Sequence, residues 1–154
     1  MSNFKDQTWA NRLGTMGDTA ENAFLSVHPY AHRVGLNRPD FDVRGMLDPM
    51  RYAPDFMTST FMYEVMGCTS RGDGKLKVKF EKLSALATWS CIGPVRIWVW
   101  DSGRKRYWDA TLEDWTRACH AHGEVARFPD NNKPYFALPI ANFPAEPIKH
   151  DLQP

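Results

Sequence analysis

The stretch RYAPDFMTSTFMYEVMGC, residues 51–68, sets two carboxylates, Asp55 and Glu64, inside the part of the chain that otherwise reads most clearly as adjacent β-strands. Phe, Tyr, Val and Thr dominate two short segments, one around Phe56 and one from Thr60 to Met66, and a tight turn near Thr58 and Ser59 separates them. Pro54 fixes its own φ and biases Ala53 toward extended backbone, so Asp55 is presented at the start of a strand. Glu64 lies among Tyr63, Val65 and Met66. Burying a lone carboxylate there costs roughly several kcal/mol unless a cation or hydrogen-bond donors compensate. Two acids on neighbouring strands can aim their oxygens at one point, which is how hard divalent cations such as Mg²⁺ are held beside phosphates.

Around this stretch, the chain of 154 residues fits one domain, numbered 1–154, with a Pro-rich segment from about residue 143. Apolar residues make up 43% and charged residues 24%, a globular balance without an apolar run able to span a bilayer. The N-terminal residues MSNFKDQTWANRL have neither a basic leader nor an apolar core, so a cytoplasmic location is expected. Three cysteines without a CxxC pair suit free thiols. A net charge of +1 neither requires nor excludes nucleic acid.

Upstream, the periodicity predicts a helix from about Phe4 to Leu13 and a second in GDTAENAFLSV, with Asp18 as N-cap and Glu21 completing a capping box. Residues 28–49 read as a connection holding at most one short strand. Downstream, CTSRGDG is a loop. In KLKVKFEKLSALATW the residues Leu76, Val78 and Phe80 alternate like a strand, whereas Leu76, Phe80, Leu83 and Ala87 recur at helical spacing; the uninterrupted run favours a helix from about Lys77 to Ser90. VRIWVW is a strand, DSGRKR a basic turn, and TLEDWTRACHAH a helix capped by Thr111 with Asp114 and ended by Gly123. Strands near Val125–Phe128 and Tyr135–Ile140 follow. This order implies an α/β fold with a mixed sheet.

The chain resembles the PD-(D/E)XK nuclease superfamily, which includes restriction endonucleases, Holliday-junction resolvases and phage exonucleases. GDTAENAF is similar to its first acidic helix, with Glu21. Pro54 and Asp55 match the PD pair, and YEVMG occupies the second acidic strand, with Glu64. The match extends through VRIWVW. It implies a restriction-endonuclease-like mixed β-sheet flanked by helices and a Mg²⁺-dependent deoxyribonuclease, with Mn²⁺ able to substitute. The implied metal ligands are Asp55, Glu64 and Glu21. It further implies a phage or prophage role in DNA recombination or processing, DNA as partner, and a homodimer joined through VRIWVW or the C-terminal segment.

One departure concerns the lysine that normally follows the second acid by two positions, because Met66 stands there. Lys75, Lys77, Lys79 and Lys82 lie just beyond a loop, and their long stems can reach back. On a helix Lys79 and Lys82 share a face. Lys79 is the first choice for the displaced catalytic lysine, Lys82 the second and Lys77 the third. Lys77, Lys75, Arg71 and Arg51 are candidate DNA contacts.

Each residue also has a plainer reading: Glu21 as a helix cap, Asp55 as a turn residue, Glu64 as an exposed cross-strand partner, and the lysines as a solvated face. Loss of the lysine leaves two rivals to catalysis. One is a non-catalytic nucleic-acid-binding module on the same fold, and the other a phage protein that binds a host protein.

Overall fold

The computed structural model describes residues 16–35 and 45–151, with side chains from residue 19 onward. In chain order it contains helix α1 (Met16–Val27), strand β1 (His32–Arg33), helix α2 (Asp48–Arg51), strands β2 (Phe56–Met57), β3 (Met62–Cys68) and β4 (Lys75–Lys79), and helix α3 (Phe80–Trp89). Strands β5 (Val95–Asp101) and β6 (Arg106–Thr111), helix α4 (Leu112–His122), strands β7 (Glu124–Arg127) and β8 (Pro134–Pro139), a 3₁₀ turn at Ile140–Asn142 and strand β9 (Ile148–Lys149) complete it.

The expected α/β class is present. A six-stranded mixed sheet runs β1-β2-β3-β5-β6-β9, parallel between β3 and β5 and antiparallel elsewhere. A separate antiparallel sheet runs β4-β8-β7. The crossover from β3 to β5 carries β4 and α3, so one link of chain feeds both sheets.

Strand alternation sorts the core into two layers. Val95, Ile97 and Val99 of β5 meet Leu83 and Leu86 of α3, Trp115 of α4 and the inner face of the second sheet. Trp98 and Trp100 of the same strand, with Tyr63 and Val65 of β3, turn the other way onto Ala20, Ala23 and Phe24 of α1. The Trp115 indole N–H donates to the carbonyl of Ile97 at 3.0 Å, pinning α4 to the central strand. Thr111 caps α4 by accepting from the Asp114 N–H at 3.1 Å, the bond anticipated from TLED. The helix ends where Gly123 turns to extended backbone, and only glycine fits there because a Cβ would lie 2.5 Å from the Cys119 carbonyl oxygen.

Four expectations are corrected. Residues 75–79 form a strand, not the first turns of a helix: Leu76 and Val78, each 2% exposed, pair with Leu138 and Phe136 of β8, and this distant partner outweighs the helical spacing. Helix α3 therefore starts at Phe80, and Lys79 is the extended residue before it, not a face-mate of Lys82. Residues 106–111, of which Arg106 is expected in the basic turn and Thr111 as a helix cap, are strand β6, folded back on β5 through a turn in which Lys105 takes a φ of 48°. Asp18 lies inside α1, which begins at Met16, so it is no N-cap. Finally, VRIWVW is the middle of the larger sheet with Val95 and residues 97–101 buried, which removes it as a subunit interface.

The turn at Thr58 and Ser59, the short strand within residues 28–49 and the late strand pair are all present. The helix expected at Phe4–Leu13 lies outside the described residues. Among the described residues no helix is long and apolar enough to cross a membrane.

Candidate functional site

Asp55 is held where two segments of chain cross. The N–H groups of Val34 and Gly35 donate to its carbonyl oxygen at 2.9 and 3.2 Å. A Cβ on Gly35 would stand 3.2 Å from the Asp55 Cα, so the glycine is what permits the crossing. Strand β2 begins at the next residue and pairs Phe56 with Tyr63. Continuing that register by one step sets Asp55 opposite Glu64, and opposed residues of an antiparallel pair share a face. The Val65 N–H donates to Asp55 Oδ2 at 2.9 Å, fixing the carboxyl against β3.

Glu64 is 3% exposed and points to the side of the sheet covered by α3. From the third residue of that helix Lys82 extends its Nζ to 2.5 Å from Glu64 Oε1. The side chain of Lys82 is 22% exposed and that of Glu64 4%, so the pair is largely out of water yet open on the lysine side. Glu21 on α1 bonds Arg33 of β1 at 2.6 Å, and the Arg33 guanidinium lies 4.6 Å from the centre of the Phe56 ring. Lys82 from α3 thus meets Glu64 of β3, with Asp55 held against the same strand, while Glu21 and Arg33 pair beside Phe56.

Their electrostatics are coupled. Burial pushes the Asp55 carboxyl well above the usual carboxylate range, and the negative charge of Glu64 pushes it further; Lys82 and the Val65 N–H oppose this. Burial also raises Glu64, against the pull of the Lys82 ammonium. Burial disfavours the charge on Lys82, but Glu64 and Asp55 outweigh it and hold its pKa above the ordinary lysine value. Glu21 acts on all three by its charge. Two acids and one ammonium are therefore mutually dependent, the pattern that marks functional clusters more often than isolated surface pairs.

Lys79, the first choice from sequence, does not reach the acids. Its Nζ lies 5.8 Å from the centre of the Tyr52 ring and 5.6 Å from that of Phe128. Lys77 is exposed and lies over Tyr135, and Lys75 pairs with Glu124 at 3.5 Å. Arg51 lies over Tyr52, while Arg71 is exposed in the loop between β3 and β4. Sequence reasoning passed over Arg33 as the partner of Glu21, and Tyr52, Phe128 and Tyr135 as partners of lysines. The alternation of Leu76 and Val78 was the available signal for the latter, since a strand there turns Lys75, Lys77 and Lys79 to its other face.

Among the described residues no group of three or more His, Cys, Asp or Glu side chains is arranged to hold a metal ion. Glu21 is instead paired with Arg33 at 2.6 Å. The donor set nonetheless suits a hard dication. Mg²⁺ binds through one or two carboxylates and completes its shell with water and phosphate oxygens, and two adjacent acids with raised pKa values are what a dication relieves. Comparison with family models, characterised proteins and solved structures yields no significant match to this chain.

Proposed function

We propose that the protein is a Mg²⁺-dependent deoxyribonuclease of the PD-(D/E)XK type, with Asp55 and Glu64 as metal-holding acids and Lys82 as the displaced catalytic lysine. The observation that carries this reading is the 2.5 Å contact by which Lys82, from a helix, reaches a buried glutamate beside Asp55. It supplies from α3 the charge that Met66 cannot supply from β3.

A bound Mg²⁺ would polarise the phosphate and lower the pKa of a water. The chain's own residues do the rest. A proton that the raised pKa values leave on Asp55 or Glu64 must leave before both can act as ligands, so metal affinity rises with pH. Lys82 eases the ionisation of Glu64 against its burial and sets an ammonium where charge accumulates on the phosphate oxygens. Arg33 neutralises Glu21 and so limits the negative charge a phosphodiester meets on approach.

The same ion pairs favour a second reading. With Glu64 and Glu21 each paired with a basic residue, a nucleic-acid-binding module without catalysis needs nothing more. Incubating linear and branched DNA with Mg²⁺ or Mn²⁺, using wild type, Asp55→Asn and Glu64→Gln, separates the two. The nuclease reading expects cleavage by wild type only. Binding without metal-dependent nicking of any substrate by wild type selects the module. A homodimer, a phage origin and a role in DNA processing belong to the same proposal and follow its fate.

A further inference from the structure

We infer that the outer face of the β4-β8-β7 sheet, continued by Tyr52 and Arg51, binds an unpaired DNA strand and leads it to the acids. This rests on DNA being the substrate. Leu76 and Val78 point inward, so Lys75, Lys77 and Lys79 point outward, opposite Pro139, Ala137 and Tyr135. Lys77 Nζ lies 5.8 Å from the Tyr135 ring centre, and Tyr135 and Phe128 lie 4.3 Å apart, tilted by 37°. Lys79 sits between Phe128 and Tyr52, with Arg51 on the far side at 5.4 Å from the Tyr52 ring. All three rings are half-buried, presenting part of their surface beside a row of cations.

The charge arrangement points to a polyanion. Burial lowers the Lys79 pKa, and the like charges of Lys82, Arg51 and Lys133 lower it further, opposed by Glu81. Cations crowded in this way gain by meeting phosphates. The rings decide which polyanion. A duplex hides its base faces, whereas an unpaired strand offers them for stacking, with phosphates at a spacing that lysines can follow. The Tyr52 hydroxyl donates to Glu81, whose carboxylate takes Lys133 Nζ at 3.0 Å on both oxygens, so that ring is oriented in advance. The face ends at Lys79, the last residue of β4, and the chain runs straight on into the first turn of α3, whose Lys82 pairs with Glu64.

The experiment is fluorescence anisotropy of the full-length protein in EDTA with labelled oligo-dT, a blunt duplex and oligo-rU. Expected are tighter binding of oligo-dT than of the duplex, and a loss of about tenfold for oligo-dT in Tyr135→Ala and in Phe128→Ala. The duplex affinity stays unchanged. Lys77→Ala, at an exposed site, lowers the log–log salt slope by about 0.7. Thermal melts confirm that the ring variants fold, and Lys77→Glu, which should weaken oligo-dT binding more than Lys77→Ala, tests the face without touching its packing. Equal or tighter duplex binding, a preference for oligo-rU, or oligo-dT affinity within twofold of wild type in folded ring variants and in Lys77→Glu each overturns the inference. Ring-dependent binding by a wild type that never cleaves removes the nuclease reading alone; metal-dependent cleavage without ring-dependent binding removes this inference alone.

Discussion

Lys82 and Lys79 are three residues apart and chemically identical, yet they occupy opposite environments. Lys82 faces two carboxyls that hold its pKa up, while Lys79 sits among aromatic rings and other cations, with its pKa pushed down. The difference arises from one boundary. Between them the chain passes from the extended backbone of Lys79, at φ −64° and ψ 139°, into helix α3. A strand residue is aimed by the alternation of β4, and a helix residue by the turn of α3. Two adjacent basic side chains can in this way serve chemistry on one side of the junction and binding on the other.

The sharpest way to break the comparison is to remove each lysine in turn. Lys82→Met should lower the rate of metal-dependent DNA cleavage by about 10²–10³-fold, the cost of losing one aligned charge from a phosphate-cleaving centre. Lys79→Met should leave turnover at saturating DNA within a few fold and raise KM. Single-turnover kinetics on a linear duplex with a frayed end would check both. Equal losses in the two variants would mean that the distinction drawn from the geometry has no catalytic content. Stability should separate them as well. Lys82→Met strands Glu64 as a buried carboxylate, and because about a fifth of the Lys82 side chain is exposed, the cost belongs near the low end for a broken ion pair, about 2–3 kcal/mol by urea denaturation.

Asp55 sharpens the other half of the comparison, since the acid pocket should be strained where the aromatic face is not. A carboxyl whose folded pKa is raised binds more protons in the folded state than in the unfolded one. Stability therefore falls as pH rises from the ordinary carboxylate range toward the folded pKa, and stays low above it. Asp55→Asn keeps an oxygen for the Val65 N–H and removes the charge. It should raise stability at pH 7.5 by about 1 kcal/mol, abolish cleavage, and have little effect at pH 4. Urea midpoints across that range are the measurement, and an unchanged midpoint at pH 7.5 would show that Asp55 carries no unfavourable charge.

The acids were legible in the sequence because each violates its surroundings: Asp55 follows a proline at a strand start, and Glu64 interrupts an apolar run. The β5 strand and the capped α4 were legible because their signals are local, in VRIWVW and in the Thr111–Asp114 bond. The identity of β4 was not. Leu76 and Val78 fit two periodicities, and the choice belongs to Leu138 and Phe136, about sixty residues onward, which no local window contains. Once that segment was read as helix, the lysines on it were ranked in the wrong geometry. Strand β6 escaped for a different reason: its partner β5 is its near neighbour, but the turn between them takes its positive φ on Lys105 instead of on a glycine.

The smallest effect tests the aromatic side directly. Lys79→Met gives up two cation–ring contacts, each worth about 0.5–1 kcal/mol when partly exposed. It also removes a half-buried ammonium and its repulsion with Lys82, Arg51 and Lys133. The two contributions oppose each other, so stability should change by less than about 1 kcal/mol at low salt. Added salt screens the repulsion in wild type more than it weakens the ring contacts, and the variant lacks that repulsion. Raising NaCl should therefore stabilise wild type relative to Lys79→Met. Urea midpoints for both proteins in low and high NaCl would reveal the crossing trend, and parallel midpoints would mean that the cations around Lys79 are already fully screened and exert no pressure on this face.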